Sequence, residues 1–206
     1  MNISEIINEI REVLDEKDEV REKALRLTRD IVRLSGDCIK ALHRGDLRIA
    51  EKRLEVAKNL VNELKERLTE HKDLYFTGYV QNAYQEYVEA NIFYQYLLDK
   101  EFPHPKEIGV PETAYALGIG DFIGELRRYF LNLLLNDKIE KAQEVYAFME
   151  KLYDELAMLE YPKGLVNIRQ KQDQVKYILE RTLEDLTRAK INKNLEKKLE
   201  EWRNEP

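Results

Sequence analysis

Cysteine, histidine, glycine and proline are all scarce in this chain of 206 residues, and each scarcity removes a class of explanation. A single cysteine, Cys38, excludes an intramolecular disulfide framework and any metal site built from several thiolates. Its apolar surroundings at helical spacing predict a small core side chain. The three histidines, His43, His71 and His104, are scattered, and none stands in the H-E-x-x-H spacing of a zinc helix. With 8 glycines and 5 prolines, helix breakers fall at a few points only and mark where helices end. Neither a G-x-S-x-G elbow nor a Walker A loop occurs. Gly118-Ile119-Gly120 resembles the start of a dinucleotide loop, but Gly124 falls one residue late and no strand is predicted before it. Gly120 and Gly124 are better read as places where two helices approach closely. No apolar run reaches about 18 residues and no charged-then-apolar leader opens the chain, so no membrane span is expected and the expected location is cytoplasmic.

Apolar residues make up 43% and charged residues 36% of the chain, enough to bury a core while leaving long solvated helix faces. The net charge of −6 excludes a globally basic nucleic-acid binder, so any such contact must come from a local patch.

Hydrophobic spacing predicts helices throughout. Leu27, Ile31, Leu34, Cys38 and Leu42 form one stripe of a first helix from Ser4, its expected N-cap, to Arg44. Gly45-Asp46 turns the chain into a second helix reaching Asp73, and Leu74 to Lys100 reads as a third, rich in Tyr and Phe. Phe102-Pro103-His104-Pro105 breaks the pattern before a fourth helix, Glu112 to Leu135. A fifth runs to Leu159 and a sixth from Leu165 to Lys190, and a last short helix carries Leu195, Leu199 and Trp202 on one side. No Val/Ile alternation bounded by turns is present, so no β-sheet is predicted. The expected fold is all-α, an antiparallel bundle of six or seven helices over residues 1–190, followed by a charged helical tail over 191–206.

The run Gln85-Glu86-Tyr87-Val88-Glu89-Ala90 carries the most chemistry. Three residues apart on a helix, Glu86 and Glu89 project from neighbouring positions. A helical wheel centres the buried stripe on Phe76, Val80, Ala83, Tyr87 and Tyr94, with Glu86 at its edge and Glu89 slightly further out. Two carboxylates on one partly buried flank repel unless a proton or a cation intervenes. Hard cations such as Mg²⁺ or Mn²⁺ take oxygen ligands of this kind and suit phosphodiester hydrolysis without a histidine. The competing reading is an ordinary solvated E-x-x-E face in a chain with 40 acidic residues.

Further motifs give the pair a context. Arg29-Asp30-Ile31 with Leu42-His43-Arg44, the acidic hexapeptide, the segment Tyr115 to Asp121 with Gly124-Glu125-Leu126 and Asn132, and Tyr153-Asp154 together resemble the translin family. Within it the resemblance is to the TRAX branch more than to translin itself, and it runs from about Lys23 to Leu186. The resemblance implies an all-α bundle that assembles into a hollow homo-oligomer, an octamer in the family, acting on single-stranded RNA and by extension single-stranded DNA. It further implies a Mg²⁺- or Mn²⁺-dependent endoribonuclease whose acidic residues correspond here to Glu86, Glu89 and Asp154. Asp154 sits awkwardly, because Val145, Met149, Leu152 and Leu156 form the core stripe of its helix and Asp154 lies nearly opposite. A second packed side through Tyr146, Tyr153 and Ala157 is needed to bring it to the pair. Glu125 is either an additional ligand or a salt-bridge partner of Arg128. The alternative function is a non-catalytic single-strand binder resembling translin.

A basic row completes the reading. Arg26, Arg29, Arg33, Lys40 and Arg44 fall within about 60° of one another on the first helix, over about 27 Å. The row suits phosphates of a single strand, with binding that weakens as salt rises. A salt-bridged or subunit-facing surface is the competing reading, and Asp30 and Asp37 interrupt the row. Tyr75, Tyr79, Tyr84, Tyr94 and Tyr96 are candidates for base stacking or for core packing.

Overall fold

The computed structural model describes residues 2–204, so Met1 and the last two residues of the expected tail lie outside the described residues. Among the described residues the chain forms seven helices and no strand: α1 (Ile3–His43), α2 (Leu47–Arg67), α3 (Lys72–Tyr75), α4 (Gly78–Leu97), α5 (Glu112–Leu135), α6 (Ile139–Ala157) and α7 (Ile168–Arg203). The all-α expectation holds. None of these helices is long and apolar enough to cross a membrane. The chain divides into two compact units, Met1–Gly118 and Ile119–Pro206.

In the first unit, α1 starts one step earlier than its expected cap. The Asn2 side chain accepts from the Ser4 amide at 3.4 Å, and Glu5 reaches back to accept from the Asn2 amide at 2.9 Å. This reciprocal pair satisfies donors that a helix start leaves open. The helix stops at Gly45, whose φ of +80° is costly for a residue with a β-carbon. Ile31, Leu34, Cys38 and Leu42 are buried, as their spacing predicts, against α2 and α4.

The expected third helix is two. A turn at Phe76-Thr77 separates the short α3 from α4, and Phe76, placed by the wheel at the centre of the stripe, is 68% exposed. Phe76 lies outside α4, so the buried arc of that helix is shifted from the one a wheel including Phe76 predicts. The eight consecutive positions from Tyr87 to Tyr94 are all buried, so α4 is a core helix on nearly every side. Its end is closed by Asp99 at φ 54°, and the Lys100 amide donates back to the Gln95 carbonyl at 3.0 Å. The following loop is fastened to α5 by the Tyr115 hydroxyl, which donates to the Pro103 carbonyl at 2.7 Å.

Close approach between helices falls at Gly118 and Gly120 and not at Gly124. A β-carbon at Gly118 would lie 2.7 Å from Val88 Cγ1 and 3.0 Å from the Gln85 carbonyl, so the glycine lets α5 touch the turn of α4 that carries the acidic hexapeptide. At Gly124 the nearest atom would be Ile178 Cδ1, at an ordinary 4.0 Å.

In the second unit, Phe122, Ile123, Leu126 and Phe130 of α5 are fully buried, as are Ala142 and Met149 of α6 and Val175 of α7. Gly120 leaves room for the Lys171 stem, whose ammonium then meets Asp121 at 2.5 Å. Arg127 donates to the Thr182 hydroxyl and to Asp185, both at 2.8 Å, fixing α5 to α7 a few turns further on. Gln172 donates to the Leu156 and Leu159 carbonyls at 2.8 and 3.0 Å, satisfying acceptors at the end of α6. The sixth expected helix and the separate tail helix prove to be one, since α7 continues unbroken to Arg203. No glycine or proline stands between Lys190 and Trp202 to stop it.

Two measurements check this packing. Gly118→Ala should lose about 1–3 kcal/mol, because a stiff valine and a backbone carbonyl cannot yield. Gly124→Ala should be neutral or gain up to about 1 kcal/mol from helix propensity. Equal thermal midpoints for wild type and Gly118→Ala would refute the close approach. The second concerns alkali. Burial pushes the Cys38 thiol and the Tyr87 phenol each up to about 12. Both stay neutral in the native chain where the unfolded chain ionises. Their contribution is therefore intact below the unfolded values and lost as pH climbs through the window toward 12. The urea midpoint should fall steadily from pH 9 upward, and Cys38 should resist thiol reagents until the chain unfolds.

Candidate functional site

The candidate site is organised by one face of α4. Tyr79, Asn82, Glu86, Glu89 and Phe93 recur at alternating spacings of three and four residues, which on a helix places them in a single row. The row goes from open to sealed along its length. Asn82 is exposed, Tyr79 and Glu86 are half-buried, Glu89 is 9% exposed and Phe93 is fully buried. The expected order of the two glutamates is thus reversed, with Glu89 the deeper of the pair. The reason is that α4 packs on α1, α2 and α3 together, so its buried arc is wider than one stripe.

Helix α1 runs beside this row. Leu25, Thr28, Arg29, Val32 and Arg33 meet Tyr79 and Asn82 in a groove of about 370 Å³. Fourteen residues further along α1, the His43 ring lies 5.0 Å from the Phe93 ring at an interplanar angle of 53°. The two contacts are the same number of residues apart on both helices, so α1 and α4 run parallel along the row. His43 therefore accompanies the acidic end and the arginines the open end. By sequence His43 is one of three scattered histidines. The motif Leu42-His43-Arg44 contains it without indicating a place beside the acidic pair, and its contact with Phe93 assigns it to this face.

The five basic residues of α1 are all exposed, but they are not equivalent. Arg33 pairs with Asp30 at 2.9 Å, Lys40 with Asp37 at 3.4 Å, and Arg44 with Asp46 at 3.3 Å. Among the described residues Arg26 and Arg29 form no ion pair. Of the tyrosines singled out by sequence, Tyr84 and Tyr94 are buried and belong to the core. Tyr75 packs its ring on Tyr84 with centroids 5.8 Å apart. Tyr79 lines the groove with Arg29 and Arg33, and Tyr96 is half-buried.

Asp154 and Glu125 belong to the second unit. Asp154 is exposed on α6, opposite buried Val145, Met149 and Leu156, and the second packed side is built in part only. Tyr146 is buried and Tyr153 half-buried, while Ala157 is exposed. Glu125 is half-buried and lies 3.9 Å from Arg128. Among the described residues no group of three or more His, Cys, Asp or Glu side chains is arranged to hold a metal ion. The pair Glu86 and Glu89 supplies two carboxylate donors from one turn of helix. That set suits a hard cation that keeps much of its own water and takes further oxygens from a phosphate, and it is short of a complete protein cage.

The wider motif from Tyr115 to Leu126 is largely architectural. Tyr115 fastens a loop, Gly118 admits the α4 contact, Asp121 holds Lys171 and Leu126 is fully buried.

Known proteins resemble the chain in sequence and fold. The model of the Translin family matches residues 19–187. An uncharacterised protein of Methanocaldococcus jannaschii is 35% identical over 185 residues, which span 87% of this chain and 81% of that protein. The crystal structure of AfC3PO superposes with a TM-score of 0.82 at 31% identity, covering 90% of this chain and 97% of that one. The structure of AfC3PO in complex with duplex RNA gives the same figures. Apo-NeC3PO superposes with a TM-score of 0.81 at 27% identity, covering 89% and 96%. By a family match that covers most of its length and by these relatives, the chain belongs to the Translin family.

Proposed function

We propose that this protein binds RNA along the shared face of α1 and α4 and cleaves single-stranded RNA as a divalent-metal-dependent endoribonuclease of the TRAX type. One observation carries the reading. The arginine-lined groove and the carboxylate pair occupy one row of α4, with Tyr79 and Glu89 about 15 Å apart along the axis at helical rise. A strand seated by its phosphates on Arg29 and Arg33 would extend toward Glu86 and Glu89.

Each residue has a role within its chemistry. Arg29 offers its full charge to a phosphate, whereas Arg33 and Lys40 must first give up an aspartate partner. Tyr79 offers a ring face at the groove for a base. Glu86 and Glu89 would hold Mg²⁺ or Mn²⁺, with Asp154 as the third carboxylate that the resemblance implies and Glu125 as a further candidate. A cation bound there supplies Lewis-acid polarisation of a phosphodiester and makes water more acidic. The more open Glu86 is placed to accept a proton at its carboxylate oxygen, while the deeper Glu89 is held away from bulk solvent. The assembly proposed is a cytoplasmic homo-oligomer, an octamer by family resemblance.

The second reading is a non-catalytic RNA binder, and two observations favour it. No three acids gather among the described residues, and a relative of 31% identity is solved with duplex RNA. Both readings are separated by incubating labelled single-stranded and duplex RNA with wild type, Glu86→Ala, Glu89→Ala and Asp154→Ala, with Mn²⁺ or with EDTA. The nuclease reading expects single-strand cleavage by wild type that EDTA abolishes and that each glutamate variant reduces by at least 10²-fold with helicity unchanged. Cleavage that survives in either glutamate variant would remove the site assignment. Retention without any cleavage would leave the binder.

Salt dependence tests the groove separately. Arg29→Ala should flatten the slope of log affinity against log salt by about 0.7 for a single strand. Arg33→Ala should do less, because its charge is already engaged by Asp30. Equal slopes for wild type and Arg29→Ala would move the phosphate contacts elsewhere.

A further inference from the structure

The family match spans residues 19–187, yet α1 begins at Ile3 and α7 ends at Arg203, so both outer helices run past it. Neither extension is anchored in a core. No residue from Asn2 to Lys23 is buried, and none after Leu186 among the described residues. Exposed ion pairs tie the extensions to their own units, Lys17 to Asp73 of α3 and Lys193 to Glu140 of α6. Such pairs add little, and helices of this length are marginal in water without packing of an apolar face.

Each extension carries such a face. On α1, Ile3, Ile7, Ile10 and Leu14 repeat at spacings of four and three residues and all are exposed. On α7, Ile191, Leu195, Leu199 and Trp202 fall within about 80° of arc at helical periodicity, and all are exposed, Trp202 by 76%. This second stripe does not continue the core stripe of its own helix. Val175, Leu179, Thr182 and Leu186 lie about 180° away around the axis. Lys193, which stands on the core side, is tied to Glu140 of α6 at 2.8 Å. The apolar stripe of the α7 extension is therefore turned away from its own unit.

Charge distinguishes the two extensions. Residues 1–18 carry six acids against two bases, and residues 188–206 carry six bases against four acids. Each would repel a copy of itself and attract the other. Apolar seams at heptad spacing flanked by charges of opposite sign are the pattern by which two helices select each other.

We propose that the α1 extension of one chain docks on the α7 extension of a second copy, seam against seam, joining copies outside the family core. The inference deepens the reading that the chain assembles with itself and does not depend on nuclease activity. Such a contact closes as a two-fold pair when each copy makes it reciprocally, or around a ring when it is made head to tail. About three helical turns give a weak contact alone, which repetition in an oligomer would strengthen.

Cross-linking of the full chain tests it. Ile10→Cys and Leu195→Cys proteins of different tag length are co-expressed and oxidised, with Cys38 left in place because it is buried. The expected product is a mixed disulfide between the two variants, with like pairs absent. Like pairs, or no product from an assembly that sedimentation shows to be oligomeric, would overturn the docking while leaving self-association intact. A monomeric chain would overturn both. As a second measure, Leu195→Glu/Trp202→Glu should raise the dissociation constant of the assembly at least tenfold with helicity unchanged. Altered RNA retention by that variant at unchanged mass would assign the face to nucleic acid and overturn the proposal.

Discussion

Glu89 sits at 9% exposure on α4, between Val88 and Ala90, which are sealed from solvent. Removing a carboxylate from water costs several kcal/mol unless hydrogen bonds, a proton or a cation compensate it. A helix that only had to fill a core would carry leucine there. The packing around it is correspondingly exact. Gly118 brings α5 onto the turn between Gln85 and Val88, so the backbone on which both glutamates ride is held from the α5 side as well as by α1. A side chain held by such a turn loses freedom before any ligand arrives, which is what a binding carboxylate needs.

The same helix links burial to recognition. Its row from Tyr79 to Phe93 passes from a solvent-facing groove into the core, and α1 follows it in parallel with arginines at one end and His43 at the other. Charge that is weak on an exposed face becomes stronger where solvent is excluded. A polyanion entering at Arg29 would meet decreasing exposure on its way to the acids, and the chain's net charge of −6 disfavours a binding surface spread over the whole molecule.

Much of this was legible in the sequence, and the misses have physical causes. Periodicity gave α1, α5 and the core positions of α6 because those helices bury one stripe each. It misjudged α4, where burial on several sides erases the stripe, and a wheel anchored on Phe76 put Glu89 outside Glu86. Close approach is expected at Gly120 and Gly124; Gly120 makes it against the Lys171 stem, but the second close glycine is Gly118, which meets Val88, because spacing alone cannot say which glycine faces a neighbour. His43 stands in the motif Leu42-His43-Arg44, but its place beside the acidic face comes from a long-range ring contact with Phe93 that periodicity does not encode. The charged tail is expected as a separate short helix, whereas the backbone of α7 continues through it and only the apolar stripe rotates. Asp154 was named by resemblance alone, and its own helix explains why periodicity kept it on the surface.

The proposed chemistry requires that Glu86 and Glu89 together hold a divalent cation. Mn²⁺ titration followed by electron paramagnetic resonance addresses it directly, since bound Mn²⁺ loses the sharp signal of the free ion. Wild type should suppress the free-ion signal at stoichiometric protein, and Glu86→Gln/Glu89→Gln, equal in shape but without the charges, should restore it. Equal suppression by both proteins, or none by either, would contradict a cation held by this pair.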